Sequence, residues 1–360
     1  MIAGHSSVST AAVSGGTPNA LGFAGSGGTP VQTGFPMAGT LGIAGATGLP
    51  NGGAGFAASG AGGAFAMGTA GVSAVTPPAT TTAPGCQANA PCSHGTDPVI
   101  PEPMGDCPTL VTGPFMFMGV TSQIWVGTKS TSQKGPIMLY FHGTGGTPAT
   151  ATAELDPTLV QEIMGQGGMI ASIEGGLKGQ TLDWGVFTTG DYQSADQVVA
   201  CAVKQLNIDT HRIYSSGASA GGLAAGEIAY GRSSYVAATL PNSGGQGGYP
   251  YNMILQDPSH VPAAMTMHGA PGVDKVVIEF TDSSLREDID IAKKGGFAVD
   301  CNHGGGHVAA PADLKAAGWD FLKKHPFGFG VSPYANGLPT TYPKYCMIVT
   351  KDTPMPMSSM

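Results

Sequence analysis

From about residue 107 onward, apolar runs of strand length alternate with segments of helical periodicity, and this alternation restricts the fold more than any other feature of the chain. The run Ile137–Phe141 is continuously apolar, which is typical of a strand in the middle of a sheet. Between Asp191 and Leu206, apolar residues recur at spacings of three and four, which predicts a helix with one buried face. Strands that alternate with helices predict the α/β class, with a mainly parallel central sheet and helices on both of its faces.

The other elements follow the same alternation. Further strands are predicted at Gln123–Val126, Arg212–Ser215, Val236–Leu240, Ala263–Met267 and Phe297–Asp300. Further helices are predicted at Ala220–Tyr230, Ser283–Lys294 and Pro311–Lys324.

The first quarter of the chain has a different composition. Residues 1 to about 105 consist mostly of Gly, Ala, Thr, Ser and Pro, and no Asp, Glu, Lys or Arg precedes Asp97. Such a segment has too few large apolar side chains to offset the entropy that is lost when a backbone becomes ordered. We therefore expect a disordered low-complexity stalk or linker at 1–105, one folded domain at 106–350 and a tail at 351–360.

Charge and hydropathy argue against two classes of partner. The net charge is -8 and the first basic residue other than histidine is Lys129. Since binding to a phosphate backbone depends on clustered Lys and Arg, no nucleic-acid partner is expected. No run of about 18 apolar residues occurs, so no membrane-spanning helix is expected either. We expect a monomer.

The cysteines are scattered, without the paired spacing of a metal site. They are Cys86, Cys92, Cys107, Cys201, Cys301 and Cys346. Their even number favours disulfides over buried free thiols, and disulfides favour a secreted or cell-surface protein, although no signal peptide is visible in the sequence. The connectivity stays open, with Cys86 and Cys92 able to close a small loop.

The strongest motif is Gly217-x-Ser219-x-Gly221, which stands between a predicted strand and a predicted helix. This context is typical of a nucleophile elbow, a strained turn whose glycines let strand and helix approach while the serine projects outward. The first backbone N–H groups of the following helix favour developing negative charge. The motif therefore indicates Ser219 as a nucleophile.

A base is expected downstream, because a serine hydroxyl is a poor nucleophile at neutral pH and hydrolases of this kind order their residues as serine, acid, histidine. The glycine-rich loop Cys301–His307 follows the last predicted strand, where it can direct an imidazole toward the elbow. His307 is the preferred base, and His303 in the same loop is the alternative.

The third member must be a carboxylate that fixes the tautomer of the imidazole. Asp274 follows a predicted strand and precedes a predicted helix, and it is the preferred acid. Asp282 and Asp300 remain alternatives, each of which could instead cap a helix or carry a solvated charge.

A glycine loop that could hold an oxyanion follows the strand at Ile137–Phe141. It begins with His142-Gly143-Thr144, and the expected donors are the backbone N–H groups of Thr144 and Ala220. No Lys follows the glycines in the spacing of a phosphate-binding loop.

The other histidines are expected to have no catalytic role. His142 and His268 each precede a glycine at the end of a strand, and a structural role is expected for both. His211, His260 and His325 lie in polar sequence contexts, and we expect them at the surface.

The segment from Gly135 to Lys324 resembles the secreted polyhydroxybutyrate depolymerase-like and feruloyl-esterase-like serine esterases of the α/β-hydrolase superfamily. The resemblance rests on His142-Gly143, on Ile208-Asp209-x-x-Arg212-Ile213-Tyr214 before the elbow, on His268-Gly269 and on Gly305-Gly306-His307. It covers about two thirds of the chain and leaves out the stalk.

This resemblance implies an α/β-hydrolase fold for the domain at 106–350 and a mechanism without metal or cofactor. It also implies Ser219, Asp274 and His307 as nucleophile, acid and base, with Thr144 and Ala220 as oxyanion donors. Members of the family usually carry His-Gly-x-x-Asp, whereas four residues separate Gly269 from Asp274 in this chain.

The substrate is expected to be an ester. Trp184, Tyr249 and Tyr251 could form a flat apolar platform for a polyester chain or an aromatic acyl group, with a core tryptophan and surface tyrosines as the alternative. We expect a secreted esterase acting on polyesters, of the polyhydroxyalkanoate type or aromatic synthetic ones such as PET. Feruloyl or acetyl esters of plant polysaccharides are the alternative substrates, and an inactive surface-interaction protein is the alternative of another class.

Overall fold

Parallel strands form the centre of the sheet in the described part of the chain. The structure, a computed structural model, describes residues 97–128, 132–175, 189–246, 254–276 and 278–355. Within these residues one sheet has the strand order β1-β2-β4-β3-β5-β6-β7-β8-β9. The strands are β1 Gly113–Phe117, β2 Val120–Val126, β3 Gly135–Phe141, β4 Met169–Ile173, β5 Ile208–Ala218, β6 Ala238–Asn242, β7 Ala263–His268, β8 Ala298–Asn302 and β9 Cys346–Val349. The pairs from β4 to β8 are parallel, and β1, β2 and β9 join the edges in antiparallel pairs.

Helices cover both faces of this sheet. They are α1 Ala151–Glu154, α2 Pro157–Gly165, α3 Thr189–Gln205, α4 Ala220–Gly231, α5 Phe280–Lys293 and α6 Ala312–Lys324, with a short 3-10 helix at Pro148–Thr150. Helices α3 and α4 share one apolar core with the sheet, and α1, α2 and α6 share another. The predicted α/β class, with a mainly parallel sheet between two helical layers, is confirmed.

Strand β3 does not alternate between apolar and polar residues. All of its residues are buried. Ile137, Leu139 and Phe141 pack into the core of α3 and α4, whereas Met138 and Tyr140 pack into the core on the opposite face. Successive side chains of a strand point to opposite faces, so a strand with helices on both sides is apolar at every position.

Every strand and helix predicted from the sequence is present, with ends displaced by a few residues. The structure adds elements that were not predicted, namely β1, β4, β9 and the helices between Pro148 and Gly165. These additions are short, and β1 and β9 lie at the edges of the sheet. Short edge strands have a weak hydrophobic periodicity in the sequence because they contain few buried residues.

The carboxyl ends of the parallel strands lie at one edge of the sheet and carry the candidate site. The segments that follow β3, β5, β6, β7 and β8 contain, in that order, Thr144, Ser219, Ser243, Asp274 and His307. Ligands of open α/β sheets bind at this edge, because the loops that leave the strands converge there. Residues far apart in sequence are thus brought together by the direction of the strands.

Two disulfides lie within the described residues. Cys107 is joined to Cys201 in α3, and Cys301 is joined to Cys346, its register partner across β8 and β9. The first bridge spans 94 residues. In the chain-entropy account, a loop of this size stabilises the fold by on the order of 4 kcal/mol. Cys86 and Cys92 lie outside the described residues.

The expectation of surface positions for His260 and His325 was wrong, because both side chains are fully buried. His260 stacks on Phe327 with ring centroids 3.8 Å apart. His325 lies 2.7 Å by Nδ1 from the Phe321 carbonyl, and burial lowers its pKa to about 4. A neutral imidazole is tolerated in a core when its ring nitrogens are hydrogen-bonded and its faces are packed. His211 is half-buried, 3.2 Å from the Asp97 carboxylate.

A buried glutamate on α5 makes the stability of the fold depend on pH. Glu287 is fully buried over Gly226, and its carboxyl oxygens have no hydrogen-bond partner among the described residues. Burial, with a smaller contribution from the charge of Asp290, raises the pKa of Glu287 to about 8 from an ordinary 4.5. The folded protein therefore holds this proton more tightly than the unfolded chain does, so this group's contribution is fully present below about 4.5 and is lost as pH rises through about 8.

Replacing Glu287 with Gln is expected to remove this loss, because the amide has the same shape and does not ionise. The fall in melting temperature between about pH 5 and about pH 9 should be smaller in Glu287→Gln than in the wild type. Thermal unfolding across this range measures the effect, with the exposed Glu102→Gln as the matched control. An unchanged pH dependence in Glu287→Gln would contradict the assignment.

Candidate active site

Ser219 occupies a strained turn between β5 and α4. Its φ of 58° and ψ of -123° lie where non-glycine residues are rarely found. A side chain at Gly217 would overlap the carbonyl of Gly221, and one at Gly221 would overlap the carbonyl of Phe141. The two glycines of the motif are therefore required by the close approach of strand and helix, and the serine between them is held outward.

His307 faces this serine. Its Nε2 lies 2.8 Å from the Ser219 Oγ, and its ring stacks on Phe280 with centroids 4.7 Å apart. The alternative base, His303, instead uses its Nδ1 to accept a hydrogen bond of 3.2 Å from the N–H of Gly305. Of the two histidines, the structure brings His307 to the elbow and leaves His303 within its own loop.

Asp274 faces the other side of the same imidazole. It has no exposed surface, and its Oδ1 lies 2.7 Å from the Nδ1 of His307. Its Oδ2 accepts hydrogen bonds of 2.8 Å from the N–H of Gly269 and from the hydroxyl of Ser243. Burial alone would raise the pKa of Asp274, but the hydrogen bonds from His307, Gly269 and Ser243 outweigh burial and lower it. The carboxylate therefore stays ionised and fixes the imidazole with its proton on Nδ1.

The two alternative acids have other partners. Asp300 accepts a hydrogen bond of 2.7 Å from the Nε2 of His268. Asp282 is buried at the start of α5 and lies 3.8 Å from the guanidinium of Arg286. Asp274 is thus the one of the three candidates that contacts His307.

Thr144 and Ala220, the predicted oxyanion donors, belong to two segments that adjoin Ser219. Ala220 is the first residue of α4, where backbone N–H groups have no partner within the helix. Thr144 follows Gly143, and a Cβ on Gly143 would lie 3.4 Å from the Cβ of Ser219. The loop after β3 is therefore packed against the elbow, next to the start of α4.

His142 and His268 hold the backbone beside the site. Each is buried, and the Nδ1 of each donates to the carbonyl of the glycine that follows it, at 2.8 Å for both Gly143 and Gly269. Burial lowers the pKa of His268, but the hydrogen bond and charge of Asp300 outweigh burial and raise it. These contacts fit the structural role expected for both histidines.

The residues expected to form an apolar platform, Trp184, Tyr249 and Tyr251, lie outside the described residues. Two contributors to the site were not found from the sequence. Phe280 stacks on His307, and Ser243 bonds Asp274. No local motif marks either residue, since each acts through a partner that is distant in the chain.

Neither a metal centre nor a membrane span was found in the part of the chain that the structure describes. No group of three or more His, Cys, Asp or Glu there is arranged to hold a metal ion. None of the helices there combines the length and apolarity needed to cross a bilayer.

The arrangement is suited to one kind of chemistry. The imidazole can take the proton of the serine hydroxyl as the oxygen attacks an electrophilic carbon, while the buried carboxylate stabilises the imidazolium that results. Backbone N–H groups at the start of α4 can bind the negative charge that develops on the substrate.

No family model and no curated protein sequence matches the chain. Solved structures do match it. A pOPH variant in complex with DMSO has a TM-score of 0.55 and 14% identity, covering 72% of this chain and 99% of that one. Native pOPH has 0.52 and 15%, covering 68% and 96%, and native sOPH has 0.50 and 16%, covering 69% and 97%. Together with the sheet described above, these similarities show that the chain has the α/β-hydrolase fold.

Proposed function

We propose that this protein is a serine hydrolase that cleaves carboxylic esters through an acyl-enzyme, with Ser219 as nucleophile, His307 as base and Asp274 as the acid that orients the base. The observation that carries this proposal is the single imidazole that bridges a hydroxyl and a buried carboxylate. His307 Nε2 is 2.8 Å from Ser219 Oγ, and His307 Nδ1 is 2.7 Å from Asp274 Oδ1. Such distances allow proton transfer without rearrangement of the side chains.

In the first half of the reaction, Ser219 Oγ forms a bond to the ester carbonyl carbon as its proton passes to His307 Nε2. The carbonyl oxygen becomes an oxyanion, which accepts hydrogen bonds from the backbone N–H groups of Thr144 and Ala220. When this intermediate collapses, the bond to the alcohol oxygen breaks and His307 returns the proton to that oxygen. Each well-placed oxyanion donor contributes roughly 3 kcal/mol to such a step.

In the second half, water replaces the alcohol. His307 takes a proton from the water as its oxygen attacks the acyl carbon, and the oxyanion forms again in the same place. Collapse breaks the bond to Ser219 Oγ, which takes the proton back from His307. The acid product then leaves, and the free enzyme is restored.

The proposed substrate is a polyester, and the surface beside the base supports it. Val273 and Val308 are 57% and 56% exposed. A methyl carbon of Val273 lies 3.6 Å from the position that a Cβ on Gly306 would occupy, and a methyl carbon of Val308 lies at the same distance from that position on Gly305. These two glycines directly precede His307. Because the base protonates the leaving alcohol, this apolar rim is on the alcohol side of the site. An apolar alcohol, as in a polyester chain, suits such a rim better than a sugar does.

Secretion is proposed together with this substrate. Disulfides persist in oxidising compartments, and the described residues contain two of them. A solid polymer cannot enter a cell, so an enzyme that degrades it must act outside. The low-complexity segment at 1–105 would then serve as a stalk that gives the domain reach toward the solid.

Solid polyester is expected to be the better substrate when the full chain is tested on a polyhydroxyalkanoate powder, an aromatic polyester film, a feruloylated sugar and an acetylated polysaccharide. Chromatography of the soluble products measures the release of acids from each. We expect faster release from the polyesters, and none from any substrate with Ser219→Ala. Preferred release of ferulate or acetate would assign the alternative substrates, and no release from any ester would favour a surface-interaction protein.

A variant of the rim sharpens this test. Val308→Asn should slow release from polyester more than it slows hydrolysis of a short nitrophenyl ester, because the short ester makes little contact with the rim. The matched control is Val331→Asn, at a valine that is 63% exposed. Val331 lies four residues after Phe327, whose N–H donates to the carbonyl of His211 near the start of β5. This is the amino end of the parallel strands, whereas the candidate site lies at their carboxyl ends. An equal effect of Val308→Asn on both substrates would remove the rim from the argument.

A further inference from the structure

The turn that follows β6 has an unusual backbone. Ser243 has a φ of 44°, in the left-handed region that a non-glycine residue rarely adopts. Among the described residues, Met118 and Ser219 are the other non-glycine residues with positive φ. Ser243 is buried, and its N–H donates to the Met267 carbonyl at 2.7 Å. Such a conformation persists only where surrounding contacts hold it, and it often marks a functional position.

The hydroxyl of Ser243 contacts one of the two carboxylate oxygens of Asp274. It donates to Oδ2 at 2.8 Å, and the N–H of Gly269 donates to the same oxygen at 2.8 Å. Oδ1 is left to accept from His307 at 2.7 Å. With two donors on one oxygen, rotation of the carboxylate would break both bonds, so the oxygen that faces the imidazole is fixed.

The neighbouring residue ties the same turn to the other two members of the site. The carbonyl of Asn242 accepts a hydrogen bond of 2.9 Å from the N–H of Ser219. Its side-chain Nδ2 donates, at 3.4 Å, to the carbonyl of Val308, the residue after His307. One short turn therefore contacts the elbow, the acid and the loop of the base.

We propose that Ser243 is a positioning residue, whose hydroxyl holds the Asp274 carboxylate in the rotamer that presents Oδ1 to His307. The proposal rests on the proposed function, in which this pair activates Ser219. Ser243 touches no reacting atom, and its effect on the reaction passes through Asp274.

The expected consequence of losing this hydroxyl has a definite sign. Without the hydroxyl, the carboxylate can turn Oδ1 away from His307, which leaves the imidazolium less stabilised. The acidic limb of the pH–rate profile, which reports loss of the free base, should therefore move to lower pH. Loss of a hydrogen bond to a charged group should also lower kcat/KM by about tenfold or more, mainly through kcat.

Other titratable groups surround this pair and must be kept constant. His303 and His268 lie close enough to Asp274 for their charges to interact with it, and Asp300 is ion-paired with His268. Substitution at Ser243 changes none of these side chains. The matched control is Ser283→Ala, which removes a buried hydroxyl without a hydrogen-bond partner in the described residues.

The experiment compares the wild type, Ser243→Ala, Ser243→Cys and Ser283→Ala in the full chain. The pH dependence of kcat/KM on a nitrophenyl ester is one readout, and the downfield proton resonance of the Asp274–His307 hydrogen bond is the other. We expect the limb and the resonance to shift in Ser243→Ala, to shift less in Ser243→Cys, whose thiol is a weaker donor, and to stay unchanged in Ser283→Ala.

Unshifted limb and resonance in a folded Ser243→Ala variant would overturn the proposal. If that variant does not fold, Ser243→Cys decides, and wild-type behaviour there has the same meaning. The resonance needs no turnover, so it tests the positioning of Asp274 even if the protein hydrolyses none of the esters. Failure of the proposed function would appear separately, as absence of activity in the wild type.

Discussion

Replacing Ser219 with alanine is expected to lower kcat on a short-chain nitrophenyl ester by about 10⁴-fold or more. The reason is that the proposed covalent intermediate needs an oxygen at this position, and among the described residues Ser219 is the one whose hydroxyl bonds His307. Alanine occupies the same volume up to Cβ, so binding of the ester should change little. Initial rates of nitrophenol release measure the effect, and the melting temperature verifies that the variant is folded.

A matched control for this prediction is Ser216→Ala. Ser216 lies in β5, three residues before the elbow, and its hydroxyl bonds the Leu240 carbonyl at 3.0 Å. Its loss should lower the melting temperature slightly and leave kcat near the wild-type value. Wild-type turnover by Ser219→Ala would remove this serine from the mechanism.

The second large effect is expected at Asp274. An asparagine there would favour the imidazole tautomer with its proton on the wrong nitrogen, so Asp274→Asn should lower kcat/KM by about 10³ to 10⁴-fold. Asp300→Asn should lower the rate far less, since Asp300 bonds His268. Its main effect should be on the melting temperature, because the amide oxygen can still accept from His268 but no longer carries the charge that pairs with this buried imidazole.

Activity and unfolding assays on both variants together test this separation of roles. Asp282→Asn is the third member of the series and should leave both quantities near the wild type, since Asp282 pairs with the half-exposed Arg286. If Asp300→Asn or Asp282→Asn lost more activity than Asp274→Asn, the proposed acid would have to be reassigned.

Much of the fold could be predicted because it depends on burial that repeats along the chain. A run such as Ile137–Phe141 is apolar whatever lies around it, and it was placed correctly as the interior strand β3. The antiparallel edge strands β1 and β9 were not predicted. Each has a single buried residue, at its end, and its other residues alternate between partial burial and exposure, so the apolar signal in each is short and weak.

The histidines show where reasoning from neighbours in sequence fails. His260 and His325 have polar neighbours in the chain, yet His260 stacks on Phe327 and His325 packs against the rings of Phe297 and Phe321. Burial of a single side chain depends on what packs against it. A polar neighbour in the sequence carries little information about that packing.

The sequence by itself determined the α/β class and the elbow at Ser219, because strand and helix periodicity and the need for Gly217 and Gly221 depend on local geometry. Only the tertiary structure decided which carboxylate serves which histidine. Asp274 follows β7 and Asp300 lies in the neighbouring parallel strand β8. Each carboxylate lies 2.7 Å from an imidazole nitrogen. Their pairing depends on loop paths and on donors such as Ser243, which the sequence separates by tens of residues and which only packing brings within hydrogen-bond distance.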